Sequence, residues 1–171
     1  MPEIKDTDWA YAAGFVDGEG CIAITRTFVP SRGKYTYSVA VVVVNRDRAV
    51  LDWMRDLWNG WVVAGSNAGG FSRPSWAWRS PAGTSAAIFL TGIRPWLRIK
   101  GPQCNNALSM IEVLQRSRYT LGRKFLPPEW QQSQEDHYWR QREMNHRGIK
   151  QFVAEPMHSP RRINRARVGL S

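Results

Sequence analysis

Apolar and polar residues alternate along this chain with two periods, one typical of helices and one typical of strands. The first helix is predicted from Trp9 to Val16, with Thr7 or Asp8 as its N-cap and the glycines of the following turn as its end. The elements predicted after it are strands at 21–28 and 35–45 joined by a turn at 30–34, a helix at 47–58, strands at 61–64 and 75–79, a helix at 84–97 interrupted at Pro95, an amphipathic helix at 103–116, and a polar helix from 127 to about 145.

Alternation within the strands gives the predicted sheet two different faces. In the second strand, Val39, Val41 and Val43 are expected to face the helices, as are Ile22 and Ile24 in the first. The opposite face would then carry Thr25, Thr27, Ser38, Ala40 and Val42. The order helix, hairpin, helix, hairpin, helices predicts an α+β fold with its helices on one face of an antiparallel sheet. The other face is left free to meet a partner.

The composition fits one globular domain. The chain has 171 residues, of which 43% are apolar, and the domain is predicted to span 1–147. The segment 148–171 is basic and is predicted to be a flexible tail. No apolar run reaches the 18 residues of a membrane span, and the N-terminus lacks the pattern of a secretory signal. The two cysteines, Cys21 and Cys104, form no CxxC pair, which argues against a structural zinc site and favours a reducing, intracellular setting.

The charge of the chain indicates a polyanionic partner. Lys and Arg number 24 and Asp and Glu number 14, so the net charge is +10. Such an excess favours nucleic acid. A membrane surface is the weaker alternative, because no basic amphipathic helix stands out.

The end of the first helix carries the residues most suited to chemistry. Small residues and one acid recur there at helical spacing, forming a stripe where a second helix backbone could approach closely: Ala10, Ala13, Gly14 and Asp17. Glycines separate Asp17 from Glu19 and follow Glu19, which leaves both carboxylates unshielded. Carboxylate and carbonyl oxygens suit hard divalent cations such as Mg²⁺. A capped helix end followed by a polar turn is the simpler alternative.

The string Ala13–Gly20 closely resembles the motif of the LAGLIDADG homing endonucleases, whose variants commonly read AGFxDGEG. The resemblance extends over most of 8–116 and includes the strand after the motif, the hairpin turn and the segment Arg94–Lys100. It implies the αββαββα fold, with a saddle-shaped sheet lying in the DNA major groove and further C-terminal helices. The implied activity is site-specific cleavage of both DNA strands at a long pseudo-palindrome, in the service of intron homing. Because this chain carries one motif, the resemblance implies a homodimer that packs its two motif helices together.

The resemblance also implies roles for individual residues. Glu19 would be the metal ligand together with Gly18, and Asp17 mainly an interface and capping residue. Asn45 would hold the attacking water and Lys100 would screen charge on the phosphate; a strand cap and a solvated surface charge are the simpler alternatives. Some relatives carry an arginine where this chain has Ala49, which leaves Arg46 or Arg48 as candidate substitutes. Mg²⁺ is the expected cofactor, with Mn²⁺ able to replace it and Ca²⁺ supporting binding only, and no small-molecule cofactor is expected.

Candidate DNA contacts follow from the predicted sheet face and hairpin tips: Thr25, Thr27, Arg32, Lys34, Ser38, Arg46, Arg48, Arg73 and Arg79. Arg32 and Arg79 are the candidates for reading guanine, since arginine pairs with its O6 and N7. The direction of Arg26 is left open. Two other functions fit the resemblance, an RNA-splicing maturase and a DNA-binding regulator without cleavage; the presence of Glu19 favours the enzyme. The protein is expected inside the cell with the genome, in a prokaryote or an organelle.

Overall fold

The computed structural model describes residues 3–65, 74–120 and 127–146. The helices are α1 (Asp6–Glu19), α2 (Arg48–Trp58), α3 (Thr84–Ile93), α4 (Gly101–Thr120) and α5 (Pro128–Asn145). The strands are β1 (Gly20–Val29), β2 (Lys34–Asn45), β3 (Trp61–Ala64) and β4 (Trp76–Arg79), with short 3-10 turns at Pro30–Arg32 and Arg94–Trp96. The predicted α+β plan and its element order are confirmed. None of the helices in these ranges is long and apolar enough to cross a membrane.

The four strands form one antiparallel sheet in the order β1-β2-β4-β3. Ile22 and Ile24 on β1 are buried, as are Val39, Val41 and Val43 on β2, so the predicted division of the faces is confirmed. These side chains pack under α1, α3 and α4 together with the large buried rings Trp78 and Phe89. Burial of this apolar layer stabilises the sheet and leaves its other face open to solvent.

The first helix differs from its prediction at both ends. Its N-cap is Lys5, and the carboxylate of Asp8, the third residue of the helix, accepts the backbone N–H of Lys5 at 2.9 Å. The helix does not stop at Val16 but continues through Gly18 to Glu19, and β1 begins at the next residue. The prediction that the glycines break the helix was therefore wrong. An uninterrupted helix carries the motif acids to the edge of the sheet.

The last described helix, α5, is fastened to the outer edge of the sheet by polar contacts. Arg26 lies on the helix side of β1 and forms an ion pair with Glu135 at 3.1 Å, and Tyr37 donates its hydroxyl proton to the same carboxylate. Burial and the Glu135 carboxylate raise the pKa of Tyr37, so its phenol stays protonated. The Arg26 guanidinium also lies 4.8 Å from the ring centre of Tyr138. Arg26 therefore acts as a structural clamp, by which we mean that it holds α5 against β1. Its side chain, whose direction the sequence left open, points away from the free face.

Glu135→Ala should lower the free energy of unfolding by about 2 to 3 kcal/mol, because it leaves the Arg26 charge partly buried without its carboxylate. Urea unfolding followed by circular dichroism measures the change. Asp56→Ala, which breaks the exposed pair with Arg55, is the matched control and should cost less than about 1 kcal/mol. Equal effects of the two substitutions would contradict the clamp.

Candidate active site and nucleic-acid interface

Glu19 lies at the junction between helix and sheet. It is the last residue of α1, its side chain is exposed, and Gly20 begins β1 directly after it. Gly20 is close to the backbone of the preceding helical turn, and a Cβ there would lie 2.7 Å from both Cα and O of Val16. The close approach requires glycine, and it presents the Glu19 carboxylate at the end of the sheet.

Asp17 is committed to the segment that leads into α4. Its Oδ2 accepts the N–H groups of Arg98 at 2.7 Å and Ile99 at 3.2 Å, and its Oδ1 accepts the N–H of Lys100 at 2.9 Å. Charge-assisted bonds of this kind are the stronger class of hydrogen bond. Both carboxylate oxygens of Asp17 therefore accept backbone amide protons just before α4, as the capping part of its predicted role requires, and the interface part stays a prediction.

Lys100 caps the end of the motif helix. The residue is 8% exposed, and its Nζ donates to the carbonyl oxygens of Val16 at 2.7 Å and Asp17 at 2.6 Å. A cation at the C-terminal end of a helix interacts favourably with the unpaired carbonyls there. The alternative of a solvated surface charge is therefore wrong. The ammonium group bonds to the last turn of α1, the turn that Glu19 ends. Its role in screening phosphate charge stays a prediction.

Asn45 ends β2 at the same end of the sheet. The pairing of Gly20 with Val43 places the end of β2 beside the start of β1. The Asn45 Oδ1 accepts the N–H of Asp47 at 2.9 Å, which makes it a strand-end cap, and Asp47 in turn caps α2. The strand-cap alternative is confirmed for this oxygen, and the predicted contact with the attacking water stays a prediction.

The two candidate substitutes for the missing arginine differ in their surroundings. Arg46 is exposed. The guanidinium of Arg48 lies 4.5 Å from the ring centre of Trp76, and its Nε is 3.2 Å from Asp52. Because Trp76 pairs with Asn45 across the sheet, Arg48 is held at the Glu19 end of the sheet.

The free sheet face carries the predicted polar candidates. Thr25 pairs with Ser38, and their hydroxyl oxygens are 2.7 Å apart. Thr27, Ser38 and Arg79 are exposed, Arg32 is exposed at the hairpin tip, and Lys34 next to it is half-buried. Arg73 and the basic segment 148–171 lie outside the described residues.

The small residues on the outer face of α1 differ in part from those that the sequence predicted. Ala13 has none of its surface exposed because it packs in the core, so its assignment to a dimer interface was wrong. Gly14 and Gly18 are exposed, and apart from the backbone of α1 itself nothing lies within 4 Å of a Cβ built on them; Ala10 is half-buried. These three small residues recur every fourth position, and this spacing in the sequence could have identified Gly18 as an outward residue.

One chain offers few ligands for a metal. Among the residues that the structure describes, no three His, Cys, Asp or Glu side chains group together in a way that could hold a metal ion. Glu19 is exposed, whereas the oxygens of Asp17 accept three amide protons. The donor set fits a hard divalent cation in type, but a single chain supplies only part of a coordination shell.

Gly20→Ala should destabilise the junction by about 1 to 3 kcal/mol, because the new methyl group meets helix backbone that cannot move aside cheaply. The free energy of unfolding in urea measures the effect. Gly101→Ala, where nothing beyond the helix's own backbone lies within 4 Å of the new Cβ, is the control and should be tolerated. If both variants unfold at the same urea concentration, the close approach at Gly20 is not needed.

Solved structures of similar fold are homing endonucleases. The homing endonuclease I-CvuI, in complex with the I-CreI target, superposes with a TM-score of 0.69 and 21% identity over 88% of this chain and 90% of its own. The archaeal intron-encoded homing endonuclease I-Vdi141I, complexed with DNA, gives 0.68 and 12% over 86% and 89%. The LAGLIDADG homing endonuclease I-GzeII, in complex with its DNA target, gives 0.55 and 15% over 80% of this chain and 43% of its own. No protein-family model matches the sequence, and no curated protein sequence does.

Proposed function

Because the chain has the fold of the LAGLIDADG homing endonucleases, we propose that it is a site-specific DNA endonuclease that acts as a homodimer with a divalent metal. The observation that carries the proposal is the position of Glu19. It is an exposed carboxylate at the junction of the motif helix and a sheet whose other face is open. A carboxylate beside a surface that is open to a DNA duplex suits a phosphodiester-cleaving centre.

The metal site of the proposal rests on Glu19 and the backbone of Gly18. Mg²⁺ usually takes one or two carboxylates and completes its shell with water and substrate phosphates. A divalent cation in such a site supplies activation of water and stabilisation of phosphate charge. The contribution of this chain is positional: Asp17 fixes the segment before α4, and Lys100 fixes the end of α1, so the Glu19 backbone is held from two sides. Asn45 and Lys100 remain the candidates for orienting water and screening charge.

The homodimer is supported by the outer face of α1. Ala10, Gly14 and Gly18 lie along one side of the helix, and the space above both glycines is open. Two such faces related by a twofold axis can approach closely, which brings the two Glu19 residues near the axis. The partial ligand set of one chain would then be completed by the second chain and the DNA.

DNA binding is supported by charge and by shape. The net charge of +10 favours a polyanion, and binding to phosphates gains affinity by releasing counterions. The free face offers Thr25, Thr27, Ser38 and Arg79 to base edges in the major groove. The remaining candidates would contact phosphates from the hairpin tip and the end of β2: Arg32, Lys34, Arg46 and Arg48.

Selection of cleaved molecules from a pool of random-sequence DNA duplexes tests the proposed function. In Mg²⁺ the protein should enrich duplexes cut on both strands with a constant stagger, and the enriched sequence should be pseudo-palindromic. Random nicking without enrichment would contradict site-specific cleavage.

The metal prediction is separate. Mn²⁺ should support cutting of the selected duplex, whereas Ca²⁺ should support binding without cutting, because its coordination geometry is looser. Electrophoretic mobility shift and cleavage assays on the same duplex measure both. Full cleavage in excess chelator would contradict a metal-dependent reaction.

A further inference from the structure

The free sheet face is polar at one end and mostly apolar at the other. Toward the hairpin turn it carries hydroxyl groups that bond within the sheet, as Thr25 does with Ser38 and as Thr36 does with the Thr27 carbonyl. Toward Glu19 it carries aliphatic and aromatic side chains. One row across the sheet is Cys21, Val42, Arg79 and Trp61, and the next is Val44, Ala77 and Val63.

The apolar part of this face is unusually open to solvent. Val44 on β2 is 41% exposed, and Trp61 and Val63 on β3 are 49% and 37% exposed. The strand between them is β4, whose small Ala77 lies in the same row as Val44 and Val63 and is 6% exposed. Single exposed apolar residues need no explanation, but a contiguous group of them on one surface marks an interaction site. These rows lie at the end of the sheet where the Gly20–Val43 pair places the start of β1, so they are the part of the face nearest Glu19.

Among the seven residues of these two rows, Arg79 alone has a charged side chain. It is exposed, and it pairs with Val42 on one side and Trp61 on the other. The ion pairs among the described residues are formed by Arg26, Arg48 and Arg55, and none of them involves the Arg79 guanidinium. The five donors of the guanidinium are thus presented outward from an apolar surround.

We propose that this half of the face recognises one guanine per half-site through Arg79, next to thymines whose methyl groups contact Val42, Val44 and Val63. The inference rests on the proposed function and adds the kind of sequence that is recognised. Arginine bonds guanine O6 and N7 in the major groove, and the thymine C5-methyl is the apolar feature displayed there. Polar groups of a base edge that lie against valine lose their hydrogen bonds to water and gain none from the protein. Base pairs that present such groups in place of the thymine methyl are therefore disfavoured.

Selection of bound duplexes from a random pool, compared among three proteins, tests the Arg79 part. The wild type should enrich a pseudo-palindrome with a guanine and adjacent thymines in each half, close to the cleavage position. Arg79→Ala should lose the guanine and bind the wild-type consensus about 10-fold to 100-fold more weakly, keeping the remaining positions. Arg55→Ala removes the same charge from α2, away from this face, and should keep the full consensus. A guanine that survives in the Arg79→Ala selection overturns the inference.

Substitution of uracil for thymine tests the methyl contacts without changing the protein. Each thymine beside the guanine, replaced by uracil in the wild-type consensus, should weaken binding several-fold, since one methyl group is removed from an apolar contact. Val44→Ala should reduce the sensitivity to uracil at one position per half-site and leave the others unchanged. Uracil that is tolerated at every position overturns the inference while site-specific cleavage stands. A wild type that enriches no sequence overturns the proposed function along with it.

Discussion

Glu19→Gln is expected to reduce double-strand cleavage by at least about 10³-fold while leaving DNA binding within a few-fold of wild type. The substitution keeps the size of the side chain and removes the negative charge that a divalent cation needs. Glu19 is exposed at the end of α1 and is not part of the core, so the fold should not suffer. Single-turnover cleavage in Mg²⁺ and binding in Ca²⁺ on the selected duplex give the two quantities separately.

Glu112→Gln is the matched control, because it makes the same change at an exposed position of α4. It should cleave at the wild-type rate. A Glu19→Gln protein that nicks plasmid DNA nearly as fast as wild type would show that Glu19 is not the metal ligand.

Gly14→Leu has the second largest expected effect, on assembly. Apart from the backbone of its own helix, no atom of the chain lies within 4 Å of a Cβ built at Gly14, so a side chain there has room to project from the outer face of α1. In a dimer that packs α1 against its symmetry mate, it would push the two helices apart. A displacement of about 1 Å at a catalytic centre can cost on the order of 10²-fold in rate. Cleavage should therefore collapse even where some dimer survives.

Analytical ultracentrifugation at micromolar concentration measures the assembly directly. The wild type should sediment as a dimer and Gly14→Leu largely as a monomer with unchanged circular dichroism. Ser85→Leu adds a similar side chain to the exposed part of α3 and should remain dimeric. A Gly14→Leu protein that dimerises and cleaves like wild type would place the interface elsewhere.

The sequence predicts the fold well where period and motif agree. The alternation of Val39, Val41 and Val43 assigned both sheet faces correctly, because a strand has only two sides and one of them was clearly apolar. The motif string placed Asp17 and Glu19 where the first helix meets the first strand, although the helix runs three residues further than the predicted end at Val16. The order of elements then followed from their lengths and turns.

The errors have physical causes that spacing alone does not reveal. Ala13 and Gly14 are adjacent small residues, and which of them faces outward depends on how α1 rolls onto the sheet. Lys100 is distant in sequence from the helix end that it caps, so its burial depends on tertiary contact. The docking of α5 depends on polar groups: Gln141 donates to the Ile22 carbonyl at 2.6 Å, and Asn106 bonds the Gln141 side chain at 2.9 Å. No hydrophobic period indicates such contacts.

The number of chains in the cleavage-competent complex tests the central claim most directly, since the proposal requires one Glu19 from each of two chains. Light scattering of the protein bound to its selected duplex in Ca²⁺ gives the mass of that complex before cleavage. Two chains per duplex is the predicted result, with double-strand cleavage starting when Mg²⁺ replaces Ca²⁺. One chain per duplex, in a complex that still cuts both strands on addition of Mg²⁺, would contradict the shared site.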